Sequence, residues 1–231
     1  MEMNKETRAF DFEIRAEDTE NEARKGRITG TPIVFNQATD MGWYEERIAP
    51  GALDGTDLKD VRFLIGHDTS MVPLARSRNN TDNSTMKFSV TERGMEIRVD
   101  LDVEGNPRAA ELYSAVKRGD ISGMSFMFSV DKDSWDDMDT DYPKRTVNHI
   151  KRVLEVSAVA FPAYPQTDLQ AASVDAALDS VRASLESARK KAAEERAAEE
   201  AAKAEAEAKE AREERRRALE LWLKEYTKEE K

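Results

Sequence analysis

Cysteine is missing from the sequence, and its absence removes a disulfide framework, a thiol nucleophile and a thiolate metal site together. Histidine occurs only twice, so a structural zinc site lacks ligands, and no metal or cofactor is expected. No apolar run approaches the ~18–20 residues of a membrane span. The opening Met1-Glu2-Met3-Asn4-Lys5-Glu6 also lacks a signal-peptide core. The formal net charge of -11 argues against nucleic-acid binding, which needs clustered Lys and Arg to neutralise phosphates. These absences describe an acidic, soluble, intracellular-type protein with no membrane or nucleic-acid partner.

Glycine and proline are themselves missing beyond residue 170, where the chain is mainly Ala, Glu, Lys and Arg. Residues 171–231 carry 14 basic and 16 acidic side chains, so the acidity resides in the preceding part. This predicts a domain over 1–168 and a helical tail over 169–231, with the break near Pro165. Thr167-Asp168-Leu169-Gln170 has the form of a capping box. Val174, Leu178, Val181, Leu185, Ala188 and Ala192 follow the 4-3 spacing of a short heptad seam. Pairs such as Glu199/Lys203 and Glu205/Lys209 support a solvated helix, and Leu219, Trp222, Leu223 and Tyr226 restore an apolar face. Such a tail suits a solvated or coiled-coil helix, or a scaffolding arm.

The first part reads as mainly β with helices. Phe10-Asp11-Phe12-Glu13-Ile14-Arg15 alternates as a half-buried strand does. Further strands are expected at 30–35, 43–48, 61–66, 86–90, 95–101, 126–130 and 147–160. Glu92-Arg93-Gly94 marks a hairpin turn, while 79–84 and 131–145 read as polar loops. So many short strands favour a barrel or a sandwich. One helix is strongly punctuated: Asn106 as N-cap, Pro107 at the first position, Ala109, Leu112 and Val116 on one face, and Gly119 at the end. It leads straight into Gly119-Asp120-Ile121-Ser122-Gly123-Met124-Ser125-Phe126.

That stretch offers two serines, Ser122 and Ser125. In an extended segment Ser125 and Met127 share one face, while Met124, Phe126 and Phe128 share the other. One face can then enter the core while Ser125 meets a cleft, and Gly123 leaves room for a backbone N–H to approach an oxyanion. A nucleophilic serine needs a base and the base an orienting partner. His67, in Gly66-His67-Asp68 at the end of an apolar strand, suits the base, since imidazole titrates near neutral pH. For the third group, His149, Lys151, Val153 and Glu155 share one face of a regular strand, so either His149 or Glu155 can hold His67. Glu155 sits among Leu154, Val156, Ala158, Val159 and Phe161, where a carboxylate needs a partner. A salt bridge to a nearby Arg or Lys is the purely structural alternative.

These residues together resemble the prohead (capsid maturation) serine proteases of tailed bacteriophages, the HK97-type family. The matching segments run in order over roughly residues 10–170: Gly30-Thr31-Pro32-Ile33-Val34-Phe35-Asn36, Glu46-Arg47-Ile48-Ala49-Pro50-Gly51-Ala52-Leu53, Gly66-His67-Asp68 and Pro73-Leu74-Ala75-Arg76. They continue with Gly119 to Phe126, Leu154-Glu155-Val156-Ser157 and Phe161-Pro162-Ala163-Tyr164. The resemblance implies a fold like the herpesvirus assemblins, a small β-barrel with helices. It implies a serine endopeptidase with Ser125 as nucleophile, His67 as general base and Glu155 as its orienting group. His149 matches the assemblins' second histidine and stands as the alternative third member. Arg76 is implied in the cleft or in oxyanion support. Implied partners are the major capsid protein precursor with its scaffold or delta domain, and the protease itself, inside the assembling prohead in the host cytoplasm. Self-association through the tail is expected. In this sequence the family's Pro-Leu-Gly-Arg reads Pro-Leu-Ala-Arg, and Phe-Gly-Phe reads Phe126-Met127-Phe128, which bears on cleft shape. Two rivals are a catalytically inactive assembly scaffold with a protease-like domain and a generic acidic interaction module; the latter leaves the ordered motifs unexplained.

Overall fold

The longest pairing in the computed structural model joins β10 (Gly123–Asp136) to β11 (Lys144–Val159), antiparallel along nearly their whole length. The structure describes residues 5–10, 14–17, 26–160 and 171–229. On its other side β11 takes two parallel partners at opposite ends: β5 (Glu45–Ile48) against Lys144–Val147, and β6 (Asp60–Ile65) against Glu155–Ala158. β4 (Thr39–Asp40) extends β5, and β7 (Ala75–Arg78) extends β6. β1 (Glu6–Phe10) forms the outer edge beyond β10. A second sheet runs β2 (Ile14–Glu17), β3 (Gly26–Val34), β9 (Gly94–Leu101), β8 (Met86–Thr91), antiparallel throughout.

Among the described residues the strands form two open sheets rather than a closed barrel. The core lies between them, with Ile28, Ile33, Met95 and Val99 from the smaller sheet and Phe63, Met124, Phe126, Phe128, Val153 and Val156 from the larger. Helix α1 (Pro107–Arg118) closes one side with Ala109, Leu112 and Val116. Its ends are built as its sequence suggests. The Asn106 side chain accepts from the Arg108 N–H, and Gly119 takes the left-handed conformation with φ 80°. The β8–β9 hairpin turns through Glu92 and Arg93, and only glycine suits position 94, where φ is 148° and a Cβ would lie 1.9 Å from the Ile33 carbonyl oxygen.

Residues 131–145 are not a loop: β10 continues to Asp136 and β11 begins at Lys144, which leaves a short turn. The acidic stretch pairs because its inward positions are filled by Trp135 and Arg145, both almost fully buried. Arg145 belongs to a buried cluster of four charges with Glu6 and Arg8 of β1 and Glu46 of β5. Two positive and two negative groups satisfy one another there, the condition under which charges persist away from water, and the partly exposed Asp133 adds a carboxylate 2.8 Å from Arg145 Nε.

Within the chain, contacts define two compact units, Met1–Leu185 and Glu186–Lys231. Helix α2 (Ala171–Glu229) contributes its first turns to the former. There Val181 and Leu185 are buried, and Ser184 accepts from the Trp135 indole N–H at 3.0 Å while donating to Asp133 at 2.8 Å. The bulky middle of the heptad seam is thus buried within its own chain. From residue 186 to 220 the helix is exposed apart from half-buried Ala188 and Ala192. The capping box at 167–170 and residues 161–164 lie outside the described residues, as do the side chains of Val174, Trp222, Leu223 and Tyr226. No described helix is long and apolar enough to cross a membrane.

Candidate active site

Ser125 lies early in β10 and its side-chain face follows the simple alternation of an extended strand. Met124, Phe126 and Phe128 point into the core, and the Phe126 and Phe128 rings stack 4.7 Å apart. Ser125 and Met127 face the other way. The exchange of glycine for Met127 therefore adds a half-buried side chain beside the serine, while the two phenylalanines face away from it. Ser122 precedes the strand and is exposed.

The register carries this face across the sheet: Ala9 of β1, Ser125 of β10, Ser157 of β11 and Leu64 of β6 sit side by side. One step along, Met127, Glu155, Arg62 and Arg76 form the next row. Registered neighbours in a sheet project to the same side with Cβ atoms about 5 Å apart.

His67 reaches this face by a reversal of the chain just past β6. Gly66 and His67 both have φ of 60°. Glycine adopts that conformation freely, whereas histidine pays strain of about 1–3 kcal/mol. Three hydrogen bonds hold the reversal: Gly66 N–H to the Ala158 carbonyl at 3.0 Å, Asp68 N–H to the Ile65 carbonyl at 3.2 Å, and His67 N–H to Ser157 Oγ at 3.1 Å. The imidazole then meets Glu155, with Nδ1 2.7 Å from Oε1. The Ser157 hydroxyl donates to the other carboxylate oxygen at 2.5 Å. A carboxylate only accepts, so in the neutral imidazole this contact assigns the proton to Nδ1 and the lone pair to Nε2. The side chains of Glu155 and His67 are 3% and 21% exposed, so the carboxylate is enclosed and the imidazole still reaches solvent.

Sequence reasoning gave Ser157 no role, although it stands two residues from Glu155 on the same strand face. The structure ties it to both partners, since it fixes the carboxylate through its hydroxyl proton and the His67 backbone through its oxygen. Polar residues at i and i+2 within an apolar strand are the signal that would have found it.

Two other candidates lie elsewhere. The His149 ring bonds Asp131 through Nδ1 and the Asp54 carbonyl through Nε2 at 3.0 Å. Its expected common face with Glu155 is broken by irregular pairing. Register shifts at Met127/Phe128, Ser129/Val130, Val130/Lys132 and Lys132/Asp133 space the core positions of β11 at Val147, Ile150, Val153 and Val156. Arg76 is two strands away from Glu155 and forms a fork-like pair with Asp60, at 2.5 and 2.7 Å. That pairing, led by the hydrogen bond itself, holds the Asp60 carboxyl below its ordinary range and raises the Arg76 guanidinium.

The Ser125 hydroxyl is fully buried and donates to the carbonyl oxygen of Arg8 at 2.7 Å. No group of three or more His, Asp or Glu among the described residues is arranged to hold a metal ion. Ser125 thus stands in the row next to Glu155, the carboxylate that holds the His67 imidazole, with its hydroxyl bonded to the Arg8 carbonyl.

The chain belongs to the caudovirus prohead serine protease family, whose model matches residues 10–180. It is 26% identical over 164 residues to the protein named prohead protease of Enterobacteria phage HK97, an alignment spanning 70% of this chain and 66% of that one. The chain thus spans just under two thirds of that relative's length. No solved structure matches it.

Proposed function

We propose that this chain is the serine endopeptidase of phage prohead maturation, with Ser125 as nucleophile, His67 as general base and Glu155 as the residue that orients and charges the base. The observation that carries this reading is the 2.7 Å bond between His67 Nδ1 and Glu155 Oε1, because it presents the other imidazole nitrogen as an acceptor. In the reaction Nε2 takes the hydroxyl proton as Ser125 Oγ attacks a peptide carbonyl carbon. The imidazolium, stabilised by Glu155, returns the proton to the leaving amine. Water then repeats the sequence on the acyl-enzyme. Ser157 is a positioning residue that acts through Glu155 and His67.

The substrates in this reading are the scaffold or delta domain of the major capsid protein precursor and the chain itself, inside the prohead assembling in the host cytoplasm. Self-association through α2 belongs to the same reading. The rival is an inactive assembly scaffold, and the complete enclosure of Ser125 favours it. Intact masses separate the two after wild type, Ser125→Ala and His149→Ala are each incubated with the cognate capsid precursor. Cleavage by wild type and His149→Ala, but not by Ser125→Ala, is expected. An uncut precursor in all three removes the enzyme, and cutting by Ser125→Ala removes the nucleophile assignment.

A further inference from the structure

A nucleophile with no exposed surface cannot meet a substrate, so what covers Ser125 bears on what the site binds. One neighbour against Ser125 is β1, which pairs Ala9 with it in register and whose Arg8 carbonyl accepts the serine hydroxyl. A peptide carbonyl is also the group that a serine nucleophile has to receive. We propose that the outer edge of β10 is a peptide-binding edge, that β1 occupies it as a substrate-like strand, and that its ligand is an extended peptide with an acid–X–base triplet. The catalytic part of this proposal rests on Ser125 being the nucleophile.

Three observations support the edge as a docking track. First, among the described residues β1 pairs with β10 alone, so its departure breaks one ladder there and leaves the β10–β11 pairing intact. Main-chain hydrogen bonds at such an edge accept any extended segment, and side-chain pockets supply selectivity.

Second, the pockets beneath β1 are specific. The Arg8 guanidinium grips both oxygens of Glu46, through Nε and through Nη2 at 2.7 Å, and its Cζ lies 5.5 Å from the centre of the Phe128 ring. Tyr44 Oη is 3.3 Å from the same Nη2. Glu6 receives Arg145 on both oxygens, at 2.6 and 2.9 Å. The planar fork and ring contact favour arginine over lysine at the Arg8 position.

Third, the Glu6 and Arg8 pair that β1 carries is neutral. β1 brings one acid and one base to a site where Arg145 already lies between Glu46 and the partly exposed Asp133. Arg145 Nη1 is also 2.9 Å from Glu46 Oε2, so the ion pair left behind when β1 lifts is already formed. Removing one partner of a buried pair is strongly destabilising, but removing a neutral pair that leaves Arg145 bonded to Glu46 and Asp133 leaves no unpaired buried charge. The same balance lets a second acid–X–base strand enter.

The absence of cysteine makes a clean test possible. Thr7 and Met127 are registered partners across the β1–β10 ladder, where Thr7→Cys with Met127→Cys brings two thiols within disulfide reach. A fluorophosphonate probe reports access to Ser125, read by intact mass. The oxidised double variant should label at least about tenfold more slowly than the same protein after reduction. Equal rates overturn the proposal. If neither form nor wild type labels, the nucleophile assignment fails, and peptide binding still decides the edge. For that, Arg8→Ala weakens the chain's own strand, and a fluorescent peptide of the 5–10 sequence is titrated by anisotropy. The peptide should bind the Arg8→Ala chain, and replacing its arginine by alanine should weaken binding by about tenfold or more, as loss of a buried charged hydrogen bond does. No binding to the Arg8→Ala chain, or equal binding of both peptides, overturns the proposal whatever the labelling shows. Should Arg8→Ala fail to fold, the reduced and oxidised double variant takes the same titration, with binding expected only to the reduced form; equal binding or none overturns it.

Discussion

Replacing Glu155 by glutamine tests the candidate triad more sharply than removing it, because the surrounding hydrogen bonds dictate how the amide turns. The carboxylate now accepts from His67 Nδ1 on one oxygen and from Ser157 Oγ on the other. Glutamine has one acceptor and one donor end. With its oxygen towards Ser157, the hydroxyl keeps its acceptor and the amide N–H donates to Nδ1. Every bond is then satisfied, but the imidazole proton moves to Nε2 and the base is disabled. With its oxygen towards His67 the base survives, but the enclosed Ser157 hydroxyl proton loses its acceptor, at about 1–3 kcal/mol. The first orientation wins. Glu155→Gln should therefore slow acylation of Ser125 by about 10⁴, roughly 5.5 kcal/mol of barrier, the scale of a wrong-tautomer triad. Ser157→Ala removes the preference for that orientation. The double variant should lose much less than the product of the two single losses, and a rate equal to or above that of Glu155→Gln alone is expected. Initial rates of fluorophosphonate labelling, followed by intact mass for wild type, both singles and the double, provide the measurement. Losses that simply multiply would refute the proposed orienting role of Ser157, and a Glu155→Gln loss below about tenfold would refute that of Glu155.

Gly94→Ala should cost at least about 2 kcal/mol, since φ is 148° and the new methyl would meet the Ile33 carbonyl oxygen at 1.9 Å. The melting temperature should fall by about 4–8 °C, and an unchanged melt would refute the contact. Glu6 is pushed upward by burial, but Arg8 and Arg145 outweigh that and hold it below the ordinary value of 4.5. A lowered folded value gives stability that is present above pH 4.5 and is lost as pH falls through the folded value. The melting gap between wild type and Glu6→Gln should thus be full at neutral pH and close progressively below 4.5, and a pH-independent gap would refute it. For the tail, light scattering should find a smaller assembly when the chain ends at Leu185, and an unchanged oligomeric state would remove α2 from self-association.

How much of this was legible depends on how local the determinants are. Helix α1 was readable because its start and stop are written by Asn106, Pro107 and Gly119 within the segment itself. The facing of Ser125 was readable because residues 124–128 obey the two-residue period. The same rule failed between His149 and Glu155, where bulges reset the period and only the register with β10 reveals it. Strand spacing left a barrel or a sandwich open, and among the described residues no barrel closes. β11 shares its second side between β5 and β6 at opposite ends, which branches the sheet instead of closing it.

The deepest misreading concerns charge. Charged side chains ordinarily face solvent, so nothing local marks Glu6, Arg8, Glu46 and Arg145 as core, and residues 131–145 read as a loop. All four are buried because each supplies what another lacks, and no single segment contains the whole set. Glu155 was legible for the opposite reason. It is a lone acid within an apolar run, and its charge had to be answered by something outside that run. Local sequence shows that a buried charge needs a partner. Only the fold shows whether the partner is an imidazole, as at His67, or a countercharge holding an edge strand beside β10, as at Arg8.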